Sequence, residues 1–204
     1  LTGVTPDGEF AVGWYYDYVE NTYYTLRFGR VVPFAYDIVN DRVTILQSAD
    51  LYRYQENRTA TRTTAVAPDH RIIGIEQSGL GMFGVMWADE YAEWEYIYLQ
   101  TDENRVPIEA FGSVGATLLS PSGRYAIGKG ADYVTDLGPA AAFDLQTQEM
   151  IWFSSFSVGS VTAMTDDGIA FINDVPYGYG TTAFVIETAV DRETSYTLVD
   201  WLKE

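Results

Sequence analysis

The 204-residue sequence contains no cysteine and only one histidine, His70. Without thiols the chain can form neither disulfides nor cysteine-ligated zinc sites, and it lacks a thiolate nucleophile. His70 stands inside a predicted tight turn, which is a poor position for the base of a Ser-His-Asp arrangement. The sequence therefore disfavours nucleophilic catalysis and transition-metal chemistry, and we expect no metal site and no cofactor.

Basic residues are also scarce. Twelve lysines and arginines stand against 29 acidic residues, which gives a net charge of −17. Such a surface repels phosphate backbones, so nucleic acid is not an expected partner. Four arginines gather at Arg53, Arg58, Arg62 and Arg71. They could bind an anionic ligand, but ion pairing within an acidic molecule explains them more simply.

Long apolar runs are missing as well. No stretch approaches the 18 or more apolar residues of a membrane-spanning helix, so we expect no transmembrane segment. The chain begins at Leu1 without methionine, which fits processing or excision from a longer, multidomain parent chain. Together with the absence of cysteine, this favours a secreted, periplasmic or cell-surface location in a bacterium.

What the chain does contain is a repeated turn. Proline presets the first corner of a tight turn, Asp or Ser tolerates the next, and Gly adopts positive φ, so two flanking apolar runs become a hairpin. The four instances are Val4–Gly13 around Pro6-Asp7-Gly8, Val66–Gly74 around Pro68-Asp69-His70, Leu119–Gly128 around Pro121-Ser122-Gly123, and Met164–Phe171 around Asp166-Asp167-Gly168.

A second pair of strands follows each turn, so each repeat contains four strands. The predicted pairs are Phe34–Ile38 with Val43–Leu46, Glu95–Leu99 with Val106–Ile108, Ala142–Leu145 with Met150–Phe153, and Ala183–Ile186 with Ser195–Leu198. Corresponding turn positions lie 62, 53 and 45 residues apart, which is within or just above the range expected for propeller blades. Helical periodicity is confined to the short segments Met86–Glu93 and Val199–Glu204.

The third repeat combines Ser120-Pro121-Ser122-Gly123-Arg124 with the strand end Phe143-Asp144-Leu145, and the first combines Thr5-Pro6-Asp7-Gly8 with Tyr36-Asp37-Ile38. These motifs resemble the blades of TolB-like and WD-repeat-like β-propellers. The resemblance implies an all-β fold: a β-propeller of about four four-stranded antiparallel blades, either a small complete disc or part of a larger propeller. We expect one domain over 1–204, with blades at about 1–50, 60–109, 113–154 and 158–200.

In each predicted blade the tight turn joins strands a and b, and a longer gap joins strands b and c. Alternate connections of an up-and-down sheet emerge at the same end, so all four gaps should open onto one face, where aromatic rings and carboxylates are interleaved. Rings supply flat apolar area and carboxylates accept hydrogen bonds from hydroxyls. The candidate ligand-binding residues are Trp14, Tyr16, Asp17, Tyr18, Trp87, Asp89, Tyr91, Tyr133, Tyr177 and Tyr179. For any one of these rings, packing between blades is an equally good interpretation.

The sequence offers weaker signals for two other kinds of site, a dinucleotide-binding loop and a calcium site. Gly79-Leu80-Gly81-Met82-Phe83-Gly84 has the glycine spacing of a dinucleotide-binding loop, but acidic residues follow it and no further strand-helix-strand units appear, so a loop between strands b and c is the better interpretation. Calcium could use oxygen ligands from Asp132, Asp136, Asp166, Asp167 and Asp174, although no EF-hand spacing is present.

The sequence therefore favours a non-catalytic binding module that recognises a glycan or protein through aromatic and acidic loops on one face. The alternative is a carbohydrate-active enzyme that uses loop carboxylates such as Asp17, Asp89 or Asp132, because glycoside hydrolysis needs only two suitably separated acids. A second alternative is a structural scaffold within a larger assembly, in which Trp and Tyr form an interface.

Overall fold

The computed structural model describes residues 1–20, 27–48, 60–78, 81–101, 103, 107–111, 118–132, 140–153, 159–174, 182–187 and 192–197. Within these ranges every regular element is a β-strand, and neighbouring strands pair antiparallel. The all-β prediction is confirmed. The chain divides into two compact units, Leu1–Tyr96 and Ile97–Glu204.

The first unit contains two up-and-down sheets of four strands each. The first blade is formed by β1 (Gly3–Val4), β2 (Phe10–Glu20), β3 (Arg27–Asp37) and β4 (Arg42–Ile45). The second blade is formed by β5 (Ala60–Val66), β6 (Ile72–Ser78), β7 (Gly81–Trp87) and β8 (Trp94–Tyr96). In both blades, sequence neighbours are also neighbours in the sheet, as the repeated hairpin signal predicts.

The second unit begins with a hairpin of β9 (Leu99–Thr101) and β10 (Pro107–Phe111). The third blade follows with β11 (Leu118–Leu119), β12 (Tyr125–Asp132), β13 (Ala140–Asp144) and β14 (Glu149–Phe153). The fourth has β15 (Gly159–Met164), β16 (Ile169–Asp174), β17 (Thr182–Glu187) and β18 (Arg192–Thr197). β10 pairs with the end of β12 that β11 leaves open, so the third sheet has six strands.

The second blade differs from its predicted strand assignment. Strand c is β7 and strand d is β8. Of the residues predicted as strands c and d, Glu95 and Tyr96 lie in β8, whereas Leu99, Pro107 and Ile108 lie in β9 and β10, which join the third sheet. The predicted helix Met86–Glu93 is wrong, because Met86 and Trp87 end β7 and the following residues form a turn. The predicted helix Val199–Glu204 lies outside the described residues.

The four tight turns share one backbone device. In each, one residue has positive φ and occupies the same place in the turn: Gly8 (74°), His70 (68°), Gly123 (79°) and Gly168 (94°). In three of the turns a hydroxyl three residues before the positive-φ residue accepts a hydrogen bond from the first backbone N–H of strand b. These bonds join Phe10 to Thr5, Tyr125 to Ser120 and Ile169 to Thr165.

The second turn lacks both the hydroxyl residue and the glycine that the other three turns share. Ala67 occupies the hydroxyl position, and His70 adopts the positive φ that glycine takes elsewhere. A non-glycine residue pays a conformational cost there. The His70 ring stacks on Phe10 of the first blade, with centroids 4.4 Å apart and planes 12° from parallel. This contact offsets part of the cost and explains why a histidine stands in a turn.

Buried side chains pack between the two blades of the first unit. Phe10, Val12, Ala35 and Leu46 of the first blade meet Val66, Ile72, Val85 and Trp87 of the second. Trp87 is fully buried, and its indole N–H donates to the backbone oxygen of Gln47 at 2.9 Å. In the second unit a similar cluster joins Tyr125, Ile127 and Phe153 to Val161 and Met164. Within each unit, the two neighbouring blades are thus held together by buried apolar side chains on their facing sheet surfaces.

Gly74 in β6 provides a test of this packing. A Cβ at this position would lie 2.2 Å from the backbone oxygen of Arg62 and 3.0 Å from the Trp87 ring. Because a backbone oxygen cannot rotate away, we expect Gly74→Ala to lower the free energy of unfolding by roughly 3 kcal/mol. Gly8→Ala is the control: nothing lies near its Cβ, and its φ of 74° should cost only about 1 kcal/mol. Chemical denaturation of both variants would measure this, and equal losses would contradict it.

Candidate functional site

The structure places the ten predicted ligand-binding residues in three groups. Tyr133, Tyr177 and Tyr179 lie outside the described residues. Trp14, Tyr16, Asp17 and Tyr18 belong to β2, which continues as a paired strand to Glu20 instead of ending in a loop. Trp87 ends β7, and Asp89 and Tyr91 lie in the connection from β7 to β8.

The described members of this set do not share one end of the first unit. Trp14 and Tyr16 lie where β2 runs away from the tight turns, at the end of the blade that carries the connection between strands b and c. Tyr91 lies at the opposite end, beside the connection of β3 to β4: the Arg42 guanidinium is 5.6 Å from the Tyr91 ring centroid, and its Nη2 is 3.5 Å from Glu90 Oε1. The predicted convergence fails here because Gly81–Trp87 forms strand c, and Asp89 and Tyr91 therefore lie in the connection from strand c to strand d.

Trp87 and Asp89 have structural roles. Trp87 is part of the core between the first two blades. The Asp89 carboxylate accepts a hydrogen bond from the backbone N–H of Tyr91 at 2.8 Å and thereby closes its turn. Asp37 and Asp144 do the same in the first and third blades, where they accept the backbone N–H groups of Asn40 and Gln146. The aspartate at the end of strand c is therefore a turn-closing residue.

Aromatic side chains cluster at the b–c end of the first unit. The rings of Trp14 and Tyr16 meet edge to face with centroids 5.4 Å apart, and Tyr16 is 46% exposed. Tyr15 is also exposed and lies against Phe34 on the other face of the sheet. Asp17 follows as an exposed carboxylate. We call Trp14, Tyr16 and the neighbouring Arg62 the aromatic cluster.

Arg62 joins this cluster from β5 of the second blade. Its guanidinium carbon lies 5.0 Å from the centroid of the Trp14 ring, within the range of a cation–π interaction. Its Nε is buried without a hydrogen-bond partner. A buried unsatisfied donor costs free energy and calls for an explanation in terms of function, water or a missing ligand.

A buried carboxylate lies near the same end. Glu76 of β6 is almost fully buried, and the Tyr96 hydroxyl donates to its Oε2 at 2.5 Å. The Tyr96 ring contacts Phe83 and Trp94 edge to face. Burial raises the pKa of the Glu76 carboxyl, and the hydrogen bond from Tyr96 offsets this only in part. Glu76 therefore binds a proton more readily than an exposed glutamate does.

The sequence does not predict Arg62, Glu76 and Tyr96 as site residues. It shows Arg62 only as one of a group of arginines. Glu76 carries a weak sequence signal, because it is a lone acid at the end of the apolar strand that begins at Ile72. The sequence assigns Tyr96 to a different strand pair. Nothing in the local sequence connects it with a glutamate 20 residues earlier.

Acidic residues of the second unit have structural partners. Arg124 binds Asp144 through Nη2 at 2.8 Å and Nε at 3.1 Å. Ser122 donates to Asp166 from both its hydroxyl, at 2.6 Å, and its backbone N–H. Partial burial would raise the pKa of Asp144 and of Asp166, but these hydrogen bonds and the charge of Arg124 outweigh it and hold both values below the ordinary range.

In the part of the chain that the structure describes, no helix is long and apolar enough to cross a bilayer. No group of three or more histidine, aspartate or glutamate side chains in the same ranges is arranged to hold a metal ion. Of the five aspartates considered for calcium, Asp166 is instead hydrogen-bonded to Ser122.

Comparison with known proteins supports the fold. No protein-family model matches the sequence, and no curated protein matches it. Among solved structures, the crystal structure of TolB from Acinetobacter baumannii aligns with a TM-score of 0.52 and 10% sequence identity. The alignment covers 96% of this chain and 42% of TolB, so the chain spans less than half the length of that protein. The likeness and the four-stranded antiparallel sheets identify a β-propeller fold.

Glu76 generates a test by pH. A glutamate whose pKa is raised by folding destabilises the native state above that raised pKa, and the penalty disappears as the pH falls below the unfolded-state pKa. Glu76→Gln keeps an acceptor for Tyr96 and removes the charge. We therefore expect this variant to gain stability over the wild type at pH 7 and to lose that gain near pH 4. Urea unfolding at both values would measure the difference, and a pH-independent difference would exclude the buried charge as its cause.

Proposed function

We propose that this protein is a non-catalytic binding module, acting outside the cytoplasm, that recognises a glycan through the b–c end of its first unit. The observation that carries the proposal is the aromatic cluster at the end of β2. The strands β2 and β3 are 11 residues long and paired over their whole described length, so the rings are presented by regular sheet structure. A site on a strand is held more rigidly than one on a loop.

The chemistry of the exposed side chains suits carbohydrate. Tyr16 presents a flat apolar ring with a polar hydroxyl, at a small cost in conformational entropy. Tyr15 and the exposed carboxylate of Asp17 belong to the opposite face of β2. A protein ligand would use the same ring, and glycan binding is the more specific proposal because sugar hydroxyls can bond to the tyrosine hydroxyl while the sugar ring packs on the aromatic face.

The placement of the acids supports binding over hydrolysis. Glycoside hydrolysis needs two carboxyl groups within about 10 Å of each other. Asp17 and Asp89 lie towards opposite ends of the first unit, separated by strands of seven or more residues, which span about 20 Å. Asp89 also closes its own turn. Asp132 ends β12 in the second unit. The acids named for the enzyme alternative thus offer no pair within the first unit.

Replacing Tyr16 tests the binding proposal. We expect Tyr16→Ala to weaken binding of the best ligand from a glycan panel by about ten-fold, because one stacking ring is lost. Tyr91→Ala is the matched control, since Tyr91 is also exposed, at 66%, but lies at the other end of the unit. Isothermal titration calorimetry would give both affinities. If Tyr91→Ala weakens binding and Tyr16→Ala does not, the ligand binds elsewhere.

One observation favours a scaffold as a second candidate function. Val43 and Ile45 of the edge strand β4 are 57% and 50% exposed, and they share a sheet face with their pairing partners Tyr36 and Phe34. The opposite face of this sheet packs on the second blade through residues such as Ala35. The first blade therefore has one apolar face that packs on the second blade and another that is partly exposed along β4, and another apolar sheet surface of a larger assembly would fit the exposed part.

The scaffold candidate requires that the open face bind apolar surfaces. We expect the protein to enhance the fluorescence of anilinonaphthalene sulfonate, and the double variant Val43→Lys, Ile45→Lys to reduce this signal by at least half because charge interrupts the patch. Val39→Lys, in the turn before β4, is the control and should change little. Equal fluorescence of the double variant and the wild type would remove the support for a docking face.

A further inference from the structure

Arg62 differs from the other arginines whose side chains the structure describes. Arg42, Arg71 and Arg124 each form an ion pair with a carboxylate. No ion pair joins Arg62 to a carboxylate within the described ranges, and its Nε is buried without a hydrogen-bond partner. In a chain with 29 acidic residues, a guanidinium without a carboxylate partner is unexpected. Its charge is available to a ligand.

The surroundings of Arg62 hold the guanidinium in one place. The guanidinium lies over the ring of Trp14, whose own edge-to-face contact with Tyr16 fixes the ring. The Nη N–H groups of a guanidinium can bind a carboxylate with two parallel hydrogen bonds, and a cation–π contact does not use these groups as donors. The aromatic cluster thus places an anion-binding group beside the exposed ring of Tyr16.

We propose that Arg62 binds the carboxylate of an acidic sugar, so that the ligand of the aromatic cluster is a saccharide carrying a uronic acid residue. This inference rests on the proposed function and specifies its ligand. The sugar ring would pack against Tyr16 while its carboxylate meets the Arg62 guanidinium. The net charge of −17 favours a ligand with one carboxylate near Arg62 over a densely charged polyanion, which the rest of the surface would repel.

An acidic peptide would also satisfy Arg62. The exposed ring of Tyr16 favours the sugar, because a sugar ring can pack on its flat face while sugar hydroxyls bond to its hydroxyl group. Protein interfaces instead centre on a buried apolar core. The peptide is therefore treated as an outcome of the test.

The test compares matched disaccharides on the intact chain. Three forms of each disaccharide are used: one that ends in glucuronic acid, its methyl ester, and the corresponding form that ends in glucose. Isothermal titration calorimetry gives the affinity of each form. We expect the acid to bind about ten-fold more tightly than the ester, since a charge-assisted bidentate contact is lost in the ester. The preference should shrink at high salt. Arg62→Gln should abolish the preference, so that the variant binds the acid no more tightly than the ester.

Arg71→Gln is the control for the change in net charge, because Arg71 lies in the tight turn at the other end of the first unit and pairs with Asp69. It should retain the acid preference. If acid, ester and neutral sugars bind equally well, the role of Arg62 is overturned while the binding function stands. If a tetraglutamate peptide binds and no sugar does, the ligand class is wrong. If nothing binds, the proposed function fails and this inference with it.

Discussion

The structure of the first unit depends on burying one apolar sheet face against another around Trp87. The indole is fully buried, and its N–H donates a hydrogen bond to the backbone oxygen of Gln47. The indole ring packs against Gly74, where a Cβ atom would be too close to it. A side chain of this size cannot be buried between sheets unless both backbones are held at a fixed distance. Glycine at position 74 is therefore as much a part of the interface as the tryptophan itself.

The position of the candidate site follows from this packing. Side chains on a strand alternate between faces, so Phe10, Val12, Trp14 and Tyr16 form one row along β2. The row begins in the core between the blades, with Phe10 and Val12 buried, and ends with Tyr16 exposed. The proposed binding surface is thus the continuation of the hydrophobic core beyond the area that the second blade covers. When a row of apolar side chains extends beyond the blade that covers it, the last aromatic side chains of the row are exposed without any special loop.

Features that depend on local chemistry are predictable from the sequence. Pro-Asp-Gly and its variants predict all four hairpin turns, because a single residue with positive φ determines each of them. The two glycines of Gly81–Trp87 and their acidic neighbours wrongly predict a loop, although every residue of this segment is paired in the sheet. The contact of Arg62 with Trp14 is not predictable, since it joins different blades and depends on their packing. The burial of Glu76 has the same origin, because only the assembled sheet decides which acid is covered.

Arg62 and Arg124 show how the same residue type serves two purposes. Two N–H groups of Arg124 donate to one oxygen of Asp144, Oδ2, while the other oxygen closes a turn, so both charges are compensated within one blade. Such a pair stabilises the local geometry of the blade. Arg62 rests on an aromatic ring, which compensates its charge only weakly compared with a carboxylate. Among the described residues no carboxylate pairs with Arg62, so an anionic group arriving at the cluster would supply a stronger counter-charge than the ring does.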